Sequence, residues 1–377
     1  MSVLELGTEA GSVAQLEREL AQLRHRAGAP SPESGTPTAR ACVLNLVVYA
    51  TRRAHAERAA RTIALLSDRH PSRAIVLLHD VAGRERLPPD VSLRAHLAPA
   101  AHDRLCYEQI VVAARADSAH RLRSIVIPLL VPDLPVFVWW TGTPALDAPH
   151  FRDLVALADR LVVDSADFVR PEATFPGLSA RGHADRSLGL TDLAWTRLTA
   201  WRELLAQFFD VPAWRPYLDA VSGMRIGFAV DMDGRAIHPS QALLLLGWFA
   251  ARLSWRAEER LAPSEAGGHL FRMRRADGVP LWVRLRPRFA RGVEEGHVTG
   301  VRVLADLEGH HAEFVIKRTE DGAAHTATEV LVDGASVLRR TVLLPMPSVI
   351  ELLGEELSIT GSDAVYEDAL QTLVALT

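Results

Sequence analysis

The sequence predicts an α/β protein, with an N-terminal doubly wound, mostly parallel sheet domain followed by an α+β domain with an antiparallel meander. Three observations carry this expectation. Strand-like and helix-like segments alternate from residue 40 to about 210. The strands there are near-continuous Val/Ile/Leu runs, the pattern of strands covered on both faces. Beyond Gly223 short alternating strands follow one another across Asp-Gly turns instead. At 377 residues the chain exceeds the length at which one hydrophobic core usually divides. The organisation expected is a helix and flexible linker over 1–38, a Rossmann-like α/β domain over 39–215, and an α+β domain over 216–377.

Taken in order, residues 13–26 place Leu16, Leu20 and Leu23 at helical spacing among charges, an amphipathic helix that docks either on this chain or on a partner. Residues 28–38 are rich in Pro, Gly, Ser and Thr and read as a linker. Val43–Tyr49 is a buried strand, Arg53–Leu66 an amphipathic helix, and Ala74–His79 a second strand after the turn at His70-Pro71-Ser72. Tyr107–Ala113 is a third strand, followed by a helix from Ser118 to Leu130. Val136–Trp140 is a fourth, then a helix at Phe151–Ala158 and a fifth strand at Leu161–Val163. Asp192–Phe209 is the strongest helix: Asp192 is a good N-cap, and Leu193, Trp195, Leu198, Trp201, Leu205 and Phe208 recur near the 3.6-residue period. Pro212 and Pro216 end it.

In the second half Met224–Val230 is a strand and Gln241–Ser254 an apolar helix. Strands near 269–275, 280–286, 299–306, 311–318, 325–332 and 336–343 are separated by Asp277-Gly278, Glu308-Gly309, Asp321-Gly322 and Asp333-Gly334, which are hairpin signals. Ser348–Leu357 and Asp363–Leu376 are closing helices.

Composition excludes several classes of function. Net charge is -4, so no global field favours nucleic acid. No apolar run approaches the ~20 residues that span a bilayer, and no signal segment opens the chain, so a cytoplasmic protein without a membrane partner is expected. Cys42 and Cys106 supply neither a disulfide framework nor a metal knuckle. There is no GxGxxG, no P-loop, no HExxH and no GxSxG. Lys317 is the one lysine, placed inside a strand. His310-His311 point to opposite faces of a strand and cannot share a metal. No cofactor and no metal are expected.

One catalytic motif remains. Asp231-Met232-Asp233-Gly234 closes an apolar strand in the manner of an aspartyl-phosphate phosphotransferase, with Lys317 and Asp363 available as supporting groups. The competing reading is a strand-ending turn in which Asp-Gly supplies the bend. Arg235 stands where a small or hydroxyl residue belongs.

Candidate partner-binding residues come from two places. Asp133-Leu134-Pro135 leads a strand ending in Trp139 and Trp140, whose indoles face opposite sides; Trp140, at the carboxyl end, either packs in the core or lines a crevice. Arg73, after His70-Pro71, sits at an amino end, where a structural turn and an interface ion pair are the two alternatives. Trp195, Arg197 and Arg202 lie on the 192–209 helix.

In order, these segments resemble the glucose-6-phosphate dehydrogenase assembly protein family, OpcA. The resemblance lies in RACVLNLVV at 40–48, HPSR at 70–73, CYEQI at 106–110, PLL at 128–130 with DLPVFVWW at 133–140, Asp164-Ser165, and DLAWTRLTAWRELLAQFFD at 192–210. It covers roughly 40–375, more closely in the first half. It implies a chain without a catalytic site that binds glucose-6-phosphate dehydrogenase, promotes its active state and supports the oxidative pentose phosphate pathway. Beside it stand the phosphotransferase at Asp231/Asp233 and a sensor whose α/β crevice binds a sugar phosphate or nucleotide without turnover.

Overall fold

The computed structural model describes residues 6–10, 13–27, 42–83, 92–99, 106–231, 238–261, 268–319, 324–344, 346–359 and 361–376. The expected linker at 28–38, the Asp233-Gly234-Arg235 part of the DxDG motif and the Asp321-Gly322 turn lie outside these residues, as do the side chains of Leu20, Leu23 and Cys106.

In chain order the elements are β1 (Leu6–Ala10), α1 (Val13–Ala27), β2 (Leu44–Ala50), α2 (Arg53–Leu66), β3 (Ser72–Asp80), β4 (Ser92–Pro99), β5 (Cys106–Arg115), α3 (Leu122–Val126), β6 (Val136–Trp140), α4 (Pro149–Val155) and β7 (Arg160–Val163). They continue with α5 (Pro171–Ala184), β8 (Gly189–Asp192), α6 (Leu193–Thr196), α7 (Thr199–Phe209), β9 (Val221–Val230), α8 (Ser240–Arg252), β10 (Arg256–Ala257), β11 (His269–Arg274) and β12 (Pro280–Phe289). Last come β13 (Val298–Leu307), β14 (His310–Arg318), β15 (His325–Val332), β16 (Ala335–Leu343), α9 (Val349–Glu356) and α10 (Ala364–Val374). They form two compact units that are not consecutive in the chain. The first comprises 1–164, 186–191 and 348–362; the second comprises 165–185, 192–347 and 363–377.

The first unit is built on a sheet of order β1-β4-β5-β3-β2-β6-β7-β8. Strands β5, β3, β2, β6 and β7 run parallel, and β4 and β1 extend the edge antiparallel. Every residue of β2, β3 and β6 is buried, as the unbroken apolar runs predict. The helix expected over 118–130 is instead α3 flanked by 3-10 turns, the second of which contains Pro128. Proline cannot donate the backbone hydrogen bond that would carry the α-helix onward.

At the amino ends of these strands the buried Arg73 guanidinium acts as a clamp. Its Nε donates to Glu108 on β5 at 2.8 Å, and its Nη1 donates to both the Leu129 carbonyl at 2.9 Å and Glu17 on α1 at 3.0 Å. With Leu16 fully buried, α1 is docked on its own unit. Asn45, also fully buried, pins the approach to β6. Its amide donates to the carbonyls of Val131 and Leu134 and accepts from the Val131 N–H at 2.8 Å. That loop holds Asp133 at φ +63°, a left-handed conformation. Further along, Arg160 donates to Thr191, which donates to Glu356 of α9 at 2.9 Å, all three buried.

The second unit has a sheet of order β10-β11-β12-β9-β13-β14-β15-β16. The β13–β16 run is the expected antiparallel meander. Its two-residue turns Glu308-Gly309 and Asp333-Gly334 have positive φ at both positions, as the hairpin signal requires. The β9–β12 pair is parallel, which needs the long crossover that contains α8. Helix α8 crosses α10 closely: a Cβ at Gly247 would lie 2.6 Å from the Ala369 carbonyl oxygen. Helix α5 went unread in the sequence because Pro176 interrupts its interior and its apolar residues form no stripe.

The expected 192–209 helix is two helices, α6 and α7. Asp192 caps the first, accepting from Ala194 N–H at 2.9 Å, and a tight Leu198-to-Trp195 backbone bond separates them.

Replacing Glu108 by Ala leaves the Arg73 charge buried with one partly exposed carboxylate. A loss of about 3 kcal/mol in urea-induced unfolding is expected. Arg61→Ala on the exposed face of α2 is expected to change the same measurement by less than about 0.5 kcal/mol.

Candidate functional site

The order of the first sheet creates a switch point. From β2 the chain crosses through α2 to β3 on one side, whereas β6 pairs on the other side and leads on to β7. Between the carboxyl ends of β2 and β6 the connections diverge, and open α/β sheets place their crevice there. A cavity of about 600 Å³ occupies this position. Its lining includes Tyr49, Trp140 and His150 in the interior, Asp80 from the end of β3, and Arg52 and Arg53 from the exposed β2–α2 turn.

The interior is an aromatic cluster set by strand register. Tyr49 and Trp140 are direct neighbours across the β2–β6 ladder, and their rings stack with centroids 3.7 Å apart. His150, near the start of α4, stacks on Tyr49 at 5.5 Å, and Phe151 meets Trp140 edge-on at 4.8 Å. The Tyr49 Oη lies 2.6 Å from His79 Nδ1 and 3.1 Å from His150 Nε2. A phenol has one proton, so at most one imidazole accepts from it and the other donates to it. Burial holds the phenol protonated far above its ordinary range. His150 titrates below the usual histidine value, chiefly through burial and then through the nearby His79, with Asp153 opposing the shift. Near pH 7 the Tyr49 hydroxyl is therefore a protonated hydrogen-bond partner of the two imidazoles and not a phenolate.

A dinucleotide does not fit this crevice as a glycine-rich fingerprint would hold it. The β2–α2 turn reads Ala50-Thr51-Arg52-Arg53, with no glycine to let a pyrophosphate approach the backbone, and the Tyr49–Trp140 stack fills the interior. Among the described residues no group of three His, Cys, Asp or Glu side chains could hold a metal ion.

The structure does not bring the candidate partner-binding residues together. Trp140 lines the crevice, whereas Trp139 is buried on the opposite face of β6. Asp133 is exposed, but it precedes β6 at the amino end. Arg73 is also at an amino end, with its guanidinium engaged internally. In the second unit Trp195 is buried, donating to Asp363 at 2.7 Å, and the half-buried Arg202 stacks over its indole at 3.6 Å. Arg197 is half-buried at the α6–α7 break. Asp363 itself caps α10 by accepting from the N–H groups of Val365 and Tyr366, each at 3.0 Å. That commitment takes it away from the phosphotransfer role. Lys317 lies on β14, separated by β13 from the strand that ends before Asp231. Tyr49, His79 and His150 were missed in the sequence. The available signal was Tyr49 ending one buried strand as Trp140 ends another.

The fold and crevice define a two-unit α/β protein whose first unit has Rossmann-like topology but no dinucleotide fingerprint. Family comparison is specific: residues 52–180 match the glucose-6-phosphate dehydrogenase subunit N-terminal domain and residues 188–370 the corresponding C-terminal domain. The chain belongs to the glucose-6-phosphate dehydrogenase assembly protein family, OpcA. A relative from Nostoc punctiforme, whose name OpcA places it in the OxPP cycle, is 33% identical over 53% of this chain and 41% of its own length. One of the same name from Synechocystis is 32% identical over 40% of this chain and 30% of its own. The chain thus matches less than half the length of these relatives. Among solved structures it is similar to an NAD binding oxidoreductase from Klebsiella pneumoniae, at 12% identity, coverage of 89% and 96%, and a TM-score of 0.47. No helix among the described residues is long and apolar enough to cross a membrane.

The His150 shift fixes the sign of a pH effect. Its folded value lies below the unfolded 6.5, so the unfolded chain binds the extra proton and stability falls as pH drops through that range. Denaturation midpoints measured from pH 7.5 down to pH 5 are expected to decline, by less in His150→Gln than in the native chain. Tyr49→Phe removes the shared hydroxyl from the buried His79 and the half-buried His150 and is expected to cost about 1–3 kcal/mol at pH 7.

Proposed function

We propose that this protein is a non-catalytic assembly factor and allosteric activator that binds glucose-6-phosphate dehydrogenase, favours its active state, and thereby supports the oxidative pentose phosphate pathway. The observation that carries this reading is the match of both halves of the chain, in order, to the two domains of the assembly family. The crevice geometry supports it: a hydrogen-bonded aromatic plug stands where a catalytic relative of this topology would hold its cofactor. Asp363 is likewise committed to a helix cap. Activation requires preferential affinity for the competent state of the dehydrogenase, because equal affinity for both states shifts nothing. Mixing the protein with its cognate dehydrogenase is expected to raise oligomer mass in light scattering and to lower the apparent KM or raise kcat. Unchanged mass and an unchanged saturation curve would refute the reading.

A second reading is favoured by one observation. The crevice remains open above the Tyr49–Trp140 stack, and Arg52 and Arg53 at its rim suit the phosphate of a sugar phosphate or nucleotide. A sensor of this kind gains about 2.7 kcal/mol of stability at a ligand concentration a hundredfold above Kd. Thermal denaturation with glucose 6-phosphate, NADP and ATP tests it. An upward shift lost in Arg53→Glu is the expected result for a sensor, and no shift with any of them excludes it.

A further inference from the structure

The sheet of the second unit has one face packed against its helices and one face that carries charge. On β12, Leu281, Val283 and Leu285 are fully buried, and Trp282, Arg284, Arg286 and Arg288 alternate with them onto the other face. Arg225 of β9 stands opposite Arg284 in the parallel ladder, and Arg302 of β13 stands opposite Arg225 on its other side. Flanking arginines on this face are neutralised: Arg272 by Glu259, Arg274 by Glu258, and Arg302 by Glu313.

The central group differs. Among the described residues no carboxylate pairs with Arg225, Arg284, Arg286 or Arg288, and the Nε of Arg284 is buried without a hydrogen-bond partner. The charges that act most on Arg286 are Arg288, Arg284 and Arg225, all of the same sign. Like charges on neighbouring strand positions repel and destabilise a sheet. Trp282 is 52% exposed beside them. Guanidinium forks next to exposed aromatics are the composition of a protein-binding hot spot.

We propose that this open sheet face, centred on Arg225, Arg284, Arg286 and Arg288, docks a carboxylate-bearing surface of a folded protein partner. Shape argues against a small ligand, since a sheet face is not the concave pocket that buries one. Charge argues against nucleic acid: the molecule carries -4 overall, and a duplex needs a basic surface that neutralises many phosphates. Bidentate Arg–carboxylate contacts would relieve the repulsion within the cluster and fix the register of the partner. The identity of that partner as the dehydrogenase rests on the proposed function.

The experiment measures affinity of the full chain for immobilised cognate glucose-6-phosphate dehydrogenase at low and high salt. The native protein, Arg286→Glu, Arg286→Gln and the Arg284→Glu/Arg286→Glu pair are compared, with Arg61→Glu on α2 as a charge control. Circular dichroism and urea midpoints verify folding, and Arg286→Gln, which adds no new charge, covers a reversal that fails to fold. Expected are about tenfold or greater weakening in Arg286→Glu, a smaller loss in Arg286→Gln, a flatter salt dependence in both, and native affinity in Arg61→Glu. A native chain that binds while both Arg286 variants keep its affinity and salt dependence overturns the surface and leaves the proposed function standing. Equal weakening by Arg61→Glu overturns it as an effect of net charge. Duplex DNA bound more tightly than the dehydrogenase, and lost in Arg286→Glu, overturns it in favour of a nucleic-acid face. Absence of any binding by the native chain removes the proposed function and this inference together.

Discussion

The first unit is organised by the parallel pairing of β2 between β3 and β6. Because β2 is buried along its whole length, both its neighbours and the helices above and below must be apolar where they meet it. The same pairing aligns Tyr49 with Trp140 and so determines what the crevice contains. A shift of one residue in the β2–β6 register would turn every side chain of one strand to the opposite face and separate the two rings. Register is held from the amino end by Asn45, whose side-chain amide bonds the backbone that leads into β6. A buried amide at one end of the strand thus fixes an aromatic contact at the other.

The residues that mark the family are largely interior. Arg73 clamps α1 and β5, Asp192 caps α6 and accepts from the Ser165 N–H, and Trp195 bonds Asp363. Their chemistry explains why these residue types are needed: a buried guanidinium must have carboxylates and carbonyls around it, and a buried indole N–H must have an acceptor. A motif of this kind identifies a fold. It does not identify the surface that meets another molecule, which is why residues chosen from the motifs alone do not converge on one site.

Legibility in the sequence followed the local physics of each segment. Val136–Trp140 and the β13–β16 hairpins were readable because the apolar pattern and the Asp-Gly or Glu-Gly turns are short-range signals. The split of 192–209 was not, because the apolar spacing of Trp195, Leu198 and Trp201 runs through the break without a local mark of it. The β9–β12 parallel pairing escaped for the same reason: two strands separated by α8 carry no mark of their relative direction. In the crevice, Trp140 was recognisable from its place at a carboxyl end. Tyr49, His79 and His150 required the strand order, which alone brings them within hydrogen-bonding distance. The arginines of β12 were visible as letters, yet which described side chains surround them depends on what stands on β9 and β13.

Helix α9 belongs to the first unit although the chain reaches it only after the whole second sheet. The buried Thr191–Glu356 contact joins residues 165 positions apart. During synthesis, Arg160 therefore emerges from the ribosome long before the carboxylate that completes its surroundings. Until then Leu352 and Leu353, buried in the finished protein, are missing from the first unit. A chain interrupted before α9 thus lacks a component of its first core while retaining all eight of that sheet's strands.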